Sequence, residues 1–438
     1  MIVLYRLLFV PLFVVLLPYY LRRMWRRGGY RRGAGHRFGF VPPLDPPQPH
    51  KTRLWLQAVS VGELQAIEPL LDRLREAGNW EVVLTTTTST GYRLAHDRLA
   101  SKVTQVAVFP LDLWPCNALA WQRFQPDVVA LMEGEVWPEH LHQARRRNVP
   151  TLLINARLSD HSYARYRKFG KLPQRLFRGL TRILASSELD AERFRHLVGD
   201  PDRIEVTGNL KFDAGVGPQL SVAERQTLAA EMGFAKAEEP PRVLLGCSTW
   251  PGEEAFLLSV LDEAEVRNLP VRLVLIPRHA ERRGEVSALL RMQPRLWHAR
   301  TSKTPAPQNV RIYLADTTGE MRRLMQLADV AFIGKSLPPN DGGQTPLECA
   351  AFGIAMAYGP HMSNFRQACR ELEHVHGSLR GAHTQAVREH LLELLANPEQ
   401  CAAMGQRAQS WHAACRGATE RTVEALKSAA RRHLPQEN

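Results

Sequence analysis

The residues able to do chemistry in this chain stand where short apolar runs stop. Ser60-Val61-Gly62-Glu63 follows the run Leu54–Val59 and opens an amphipathic stretch to about Glu76. That places Glu63 at the carboxyl end of an expected strand and the start of an expected helix. A carboxylate there can take a proton from an acceptor hydroxyl, and Gly62 is expected to let the backbone turn tightly. A helix start lowers a carboxylate's pKa while desolvation raises it; the plain alternative is a glutamate that only opens a helix. Met132-Glu133-Gly134-Glu135-Val136-Trp137-Pro138 closes another run. Its acids, Glu135 among them, stand beside a Trp-Pro rim and are suited to sugar hydroxyls, a cation or the cap of the next helix. Asn155-Ala156-Arg157-Leu158-Ser159 supplies an amide and a guanidinium fit for a carboxylate or phosphate. Gly208-Asn209-Leu210-Lys211-Phe212-Asp213 sets Lys211 where it can meet an anionic ligand or sit in solvent.

The second half repeats the pattern with groups suited to phosphate and ribose. Gly246-Cys247-Ser248-Thr249-Trp250-Pro251-Gly252-Glu253-Glu254 offers small hydroxyl residues, Ser248 and Thr249, before a helix start, a phosphate cradle without a Walker lysine. Pro277-Arg278-His279 ends a run with a fixed cation. Asp316-Thr317-Thr318-Gly319-Glu320-Met321 contributes Thr317, Gly319 and Glu320 at a strand-to-helix turn. Gly334-Lys335-Ser336-Leu337 and Gly342-Gly343-Gln344-Thr345-Pro346-Leu347-Glu348 close a further run. Gly334, Ser336 and Gly343 there suit backbone approach to phosphate, and Glu348, about one turn into its helix, can accept from a ribose diol. No histidine spacing suggests a metal, since His140 and His142 do not share a helix face. Trp55, Trp80, Trp114, Trp121 and Trp250 are expected as core or rim packing.

The elements that must position these groups are strands alternating with amphipathic helices, the signature of parallel sheets. Strands are expected at Leu54–Val59, Glu81–Thr87, Val103–Phe109, Asp127–Met132, Thr151–Asn155, Arg182–Ala185 and Ile204–Thr207. A second set is expected at Arg242–Cys247, Val271–Ile276, Val310–Ala315, Asp329–Ile333 and Ile354–Tyr358. A length of 438 residues favours two domains. The fold class is therefore α/β, with two Rossmann-like doubly wound domains facing a cleft at their strand ends. Their expected ranges are 53–208 and 242–415, joined by a connection over 209–241 that carries Gly215, Gly217, Pro218, a helix near Ala223–Met232 and Glu238-Glu239-Pro240-Pro241. Residues 416–438 form a C-terminal helix or tail, and the helical stretch after His383 is expected to pack back on the first domain. Six scattered cysteines read as reduced thiols.

The net charge of +13 is not the footprint of a nucleic-acid binder, because much of it sits at Arg22, Arg23, Arg26, Arg27, Arg31 and Arg32. These follow an apolar run over Ile2–Leu21, long enough to span a bilayer. Arg6, Pro11 and Pro18 interrupt it, so a helix lying in the interface is the alternative. Residues 1–21 are thus a membrane anchor and 22–52 a basic linker that attracts anionic membrane lipids. Positive-inside logic sets the rest on the cytoplasmic side.

Taken in order, the seven motifs around Glu63, Glu135, Arg157, Lys211, Arg278, Glu320 and Glu348 resemble those of the 3-deoxy-D-manno-octulosonic acid (Kdo) transferases, and the likeness covers nearly the whole chain. The resemblance implies a GT-B architecture, CMP-Kdo as donor, a lipid A precursor of the lipid IVA type as acceptor, the inner membrane as location, inversion at the anomeric carbon, and no cofactor or required metal. It makes Glu63 the catalytic base, with Ser60 and Gly62 beside it binding Kdo or the acceptor. It sets Ser248, Thr249, Arg278, Thr317, Gly319, Glu320, Gly334, Ser336, Gly343 and Glu348 on the donor side, and Glu135, Arg157 and Lys211 toward Kdo or the acceptor. The chain departs from many relatives at Gly134, Lys335, Thr345 and the stretch Pro338-Pro339-Asn340-Asp341. Two other readings stay open: an envelope GT-B enzyme using a UDP-sugar, and a catalytically silent membrane-bound assembly factor.

Overall fold

Strands joined by crossover helices run parallel, and a parallel sheet is covered on both faces, so its strands read as unbroken apolar runs. The computed structural model describes residues 2–27, 33–48, 50–213, 219–234, 241–302 and 304–431. Arg31, Arg32, Gly215, Gly217, Pro218, Glu238, Glu239 and Pro240 lie outside the described residues. The chain divides into two units, Met1–Gly215 with Cys415–Asn438, and Val216–Ala414.

The first unit holds seven strands: β1 (Thr52–Gln57), β2 (Trp80–Thr86), β3 (Gln105–Val108), β4 (Val128–Met132), β5 (Thr151–Ala156), β6 (Arg182–Ala185) and β7 (Ile204–Val206). They lie in the order β3-β2-β1-β4-β5-β6-β7, every pair parallel. Alternate residues of β1 feed different cores: Leu54 and Leu56 pack with the helix Glu68–Ala77 through Leu70, Leu71 and Leu74, and Trp55 packs with Phe109, Trp121 and Phe124 on the other face. At the amino end of β1, far along the strand from Glu63, Arg53 is almost fully buried. It pairs with Glu81 and donates to the carbonyls of Phe124 and Asp45, a satisfied structural charge.

The second unit repeats the plan with β8 (Arg242–Thr249), β9 (Val271–Pro277), β10 (Trp297–Ala299), β11 (Ile312–Leu314), β12 (Val330–Ile333), β13 (Ala355–Tyr358) and β14 (Leu379–Arg380). Their order is β10-β11-β9-β8-β12-β13-β14, again all parallel. The edge strands β10 and β14 were not expected from the sequence. They are three and two residues long and carry no apolar run, because an edge needs little burial.

The last helix, Ala418–Arg431, belongs to the first unit. Asp213 accepts from the backbone N–H groups of Gly417 and Thr419 at its start, and Arg421 Nε donates to the Thr207 carbonyl at 2.8 Å. Val423, Leu426 and Ala430 then complete the core beside Leu70 and Leu74. The helices Thr384–Ala396 and Pro398–Ala414 lie in the second unit, so of the stretch after His383 only the final helix returns. At the other end, Ile2–Arg27 is one helix, and its Ile2–Tyr19 window, of mean hydropathy 2.2 and unburied, is long and apolar enough to cross a membrane.

Leu426→Ala is expected to destabilise the first unit by about 2–5 kcal/mol, the cost of a cavity under a buried leucine. Hydrogen exchange should speed up in β1–β7 while β8 and β9 stay protected.

Candidate functional site

In the first sheet the chain runs from β1 out to β3, then returns to β4 on the other side of β1, so strand order reverses between β1 and β4. Ligands of doubly wound sheets bind at such a switch point, outside the carboxyl ends of the strands. Glu63 follows β1, and Glu133 and Glu135 follow β4.

Glu63 is the third residue of the helix Val61–Ala66 and is 8 % exposed. Its Oε2 accepts from the Val59 N–H at 2.8 Å and its Oε1 from the Ser60 hydroxyl at 2.9 Å, while Ser60 Oγ accepts from the Glu63 N–H at 3.3 Å. Ser60 and Glu63 therefore cap the helix reciprocally. Burial pushes the Glu63 carboxyl above its ordinary pKa and the charge of Glu133 adds to this, against the lowering effect of the Val59 and Ser60 hydrogen bonds. Gly62 makes no tight turn: it is exposed, and an added Cβ would meet only Ser60 Oγ, at 4.0 Å. The missing side chain leaves the surface beside Glu63 open.

Lys211 Nζ lies 3.0 Å from Glu133 Oε1 and Arg157 Nη1 3.9 Å from the same oxygen, so the two expected anion-binding cations converge on Glu133. The turn carrying Lys211 is fixed by Asn155, whose Oδ1 accepts from the Leu210 N–H at 2.9 Å, and by Asn209, which accepts from the Lys211 N–H at 3.0 Å. Glu135 instead accepts from the Trp137 indole at 2.9 Å, and burial raises its pKa. Among the candidates drawn from this loop Glu133 was passed over in favour of Glu135. Its place directly after the last residue of β4 was the available signal.

The second sheet reverses its order between β8 and β12. The loops there are held by Glu253, 1 % exposed, whose carboxylate accepts from the N–H groups of Trp250 (2.9 Å), Lys335 (2.8 Å), Ser336 (2.9 Å) and Leu337 (3.2 Å). The Trp250 amide of the expected phosphate cradle and three amides of the loop after Gly334 are thus occupied by a carboxylate of the chain itself. Four of the expected donor residues are engaged within the chain itself. Gly334 is required because a Cβ there would stand 2.2 Å from the Ser248 carbonyl. Ser336 is fully buried, donating to the Ile333 carbonyl at 2.6 Å and accepting from the Gly359 N–H at 3.0 Å. Thr249, also fully buried, donates to Glu254 at 2.7 Å. Gly343 takes φ of 71° in a turn whose N–H bonds to the Lys335 carbonyl.

Other candidates remain accessible. Ser248 is partly exposed, its hydroxyl 3.5 Å from the Met321 sulfur. Arg278 is exposed, and its guanidinium has no hydrogen-bond or ion-pair partner among the described residues. Gly319, at φ of 92°, makes the turn into the helix Met321–Leu324. Glu320 is held by Arg300, with Nη2 at 2.8 Å, and by the Thr317 hydroxyl, and Arg300 lowers its pKa. Arg300 was not anticipated from the sequence. Glu348 is the second residue of the helix Leu347–Ala351, earlier in it than expected. Burial raises its pKa, and its Oε2 is buried without a hydrogen-bond partner, although Arg322 Nη2 lies 3.7 Å from Oε1. A buried carboxylate oxygen with nothing to accept from is fitted for a ligand donor. Among the described residues no group of three or more His, Cys, Asp or Glu is placed to hold a metal ion.

Comparison with solved structures shows the fold alone. A UDP-GlcNAc 2-epimerase from Neisseria meningitidis matches with a TM-score of 0.58 and 15 % identity, over 86 % of this chain and 100 % of that one. MurG from Acinetobacter baumannii matches at 0.55 and 15 %, over 86 % and 99 %. Both share the two Rossmann-like units of the GT-B class. The family model of the 3-deoxy-D-manno-octulosonic-acid transferases matches residues 32–214. A 3-deoxy-D-manno-octulosonic acid transferase from Bordetella pertussis is 33 % identical over 418 residues, covering 92 % of this chain and 94 % of the relative. One from Haemophilus influenzae is 30 % identical over 403 residues, covering 91 % of each. With likeness of that degree running through both units, the chain belongs to the family of 3-deoxy-D-manno-octulosonic acid transferases.

Proposed function

We propose that the chain transfers Kdo from CMP-Kdo to a lipid A precursor of the lipid IVA type, at the cytoplasmic face of the inner membrane in lipopolysaccharide assembly, with inversion and with Glu63 as base. The observation that carries the reading is the buried Glu63 carboxyl with its raised pKa, beside an open surface at Gly62. In the reaction an acceptor oxygen bonds to the anomeric carbon of Kdo as its proton passes to Glu63. The bond from that carbon to the CMP phosphate oxygen breaks, and CMP leaves with the electron pair. A general base tuned upward from the carboxylate range works closer to neutral pH.

Each unit is assigned what its strand ends equip it for. In the first, Arg157 and Lys211, held near Glu133, supply positive charge for Kdo's carboxylate or the acceptor's phosphates. In the second, Glu348 offers its unpartnered oxygen to a ribose hydroxyl and Arg278 an unpaired cation to the departing phosphate. The scheme calls on no cofactor beyond the donor nucleotide sugar, and we infer that a chelator leaves turnover unchanged.

Glu63→Gln keeps the helix cap but not the base. Turnover, read as CMP release and added Kdo mass on a tetra-acylated precursor, should fall about 10²–10⁴-fold with the melting temperature nearly unchanged. Wild-type rates in Glu63→Gln would remove Glu63 from the chemistry. Because the carboxyl is raised from 4.5, kcat/KM should climb with pH through a midpoint above that value, and this limb should vanish in Glu63→Gln. On the donor side, CMP should raise the melting temperature, and Glu348→Gln should raise the donor KM about tenfold, the loss of one hydrogen bond to a charged acceptor. Stabilisation by UDP and not CMP would shift the reading to a UDP-sugar donor.

A further inference from the structure

The apolar N-terminal helix carries two polar residues near its start, and both are bonded to the first unit. Tyr5 donates its hydroxyl to Asp112 Oδ2 at 2.8 Å. Arg6 pairs bidentately with Glu139, at 2.8 and 2.9 Å, and lies over the Trp114 ring at 5.7 Å. The partners are built for the purpose: Glu139 is fully buried and Asp112 is 4 % exposed. Gln143 also donates to Glu139 at 2.7 Å, and Asp112 accepts from the N–H groups of Glu139 and His140 at the head of the helix Pro138–Arg146. Without Arg6, Glu139 has no basic partner within ion-pair distance among the described residues.

Beyond the helix, the chain from Gly33 onward meets the same part of the unit. Gly33 packs against Val108 and His36, His36 Nδ1 accepts from the Val108 N–H at 3.3 Å, and the Arg37 carbonyl accepts from the Leu111 N–H at 2.8 Å. Leu111 is the neighbour of Asp112. The helix from Arg6 to Arg27 is about 32 Å long at 1.5 Å per residue, and the six steps from Arg27 to Gly33 reach about 20 Å at most. A helix that spans a bilayer has its ends on opposite faces of a hydrocarbon core about 30 Å thick. Here Tyr5 and Arg6 near one end, and His36 and Arg37 a short way beyond the other, are bonded to one α/β unit, which stays on one face.

We propose that the N-terminal helix does not cross the bilayer but is strapped to the first unit by Tyr5–Asp112 and Arg6–Glu139 and lies in a single leaflet of anionic phospholipid. The less exposed face, Ile2, Arg6, Phe9, Phe13 and Leu17 at helical spacing, is distinct from the exposed residues Leu7, Leu8, Val14 and Val15 that enter the lipid. Exposed Arg22 lies at the headgroups. The strap also joins membrane to site, since the helix that Asp112 caps begins three residues after Glu135. This inference takes only the membrane location from the proposed function; it is read from topology, and that function from turnover.

The test uses the full chain in sealed vesicles of phosphatidylglycerol and phosphatidylethanolamine, with hydrophilic protease-cleavable tags before Met1 and after Asn438. Cleavage of the C-terminal tag from outside marks the oriented molecules. In these the N-terminal tag should be cut from the same side; protection until detergent is added would overturn the proposal. Arg6→Leu gives an independent sign. In a spanning helix it removes a charge from lipid and should stabilise the protein, whereas in a strapped helix it strands Glu139 and should lower the melting temperature by at least about 4 °C. An unchanged or raised melting temperature counts against the strap.

Discussion

Both halves of this molecule depend on a buried carboxylate that accepts backbone N–H groups where the strand order of a parallel sheet reverses. After β1 it is Glu63, accepting from the Val59 N–H and the Ser60 hydroxyl; after β8 it is Glu253, accepting from four amides of two loops. The need is general: strand-to-helix turns leave N–H groups unpaired, and a buried one is costly. The outcomes differ by how fully each carboxylate is used. Glu253 is spent on holding the β8 and β12 loops together. Glu63 makes two side-chain contacts, with a like charge at Glu133.

The strap on the N-terminal helix follows the same logic. Asp112 and Glu139 are buried acids, and burying an acid is tolerated only where donors meet it. Their donors come from the helix Pro138–Arg146, including Gln143, from Asn117, and from Tyr5 and Arg6. Arg6 in the sequence looked like a flaw in an apolar run; in the structure it is the partner that Glu139 lacks elsewhere.

Legibility in the sequence tracked the range of the interactions. The strands β1, β2, β4, β8 and β9 could be read because both their faces are buried, whereas β10 and β14 carry too few buried side chains to leave a pattern. Glu63 and Glu348 were singled out by the local rule that candidate chemistry follows a strand. Ser336 and Thr249 were expected as phosphate contacts because hydroxyls near glycine suit phosphate. Ser336 is spent partly on Gly359, 23 residues away, and Thr249 on a glutamate in the next helix. Glu253, which holds the loops around them, looked in sequence like any acid at a helix start. Arg300 and Glu133 act through partners that only folding brings near.

The return of the helix Ala418–Arg431 to the first unit has a consequence for how the chain is made. The second unit, from Val216 to Ala414, is one unbroken stretch and can close as soon as it leaves the ribosome. The first unit begins synthesis earlier yet lacks the core around Leu70 and Leu74 until Leu426 emerges. The half of the protein made first is therefore finished last, and its exposed leucines must wait through the synthesis of an entire domain.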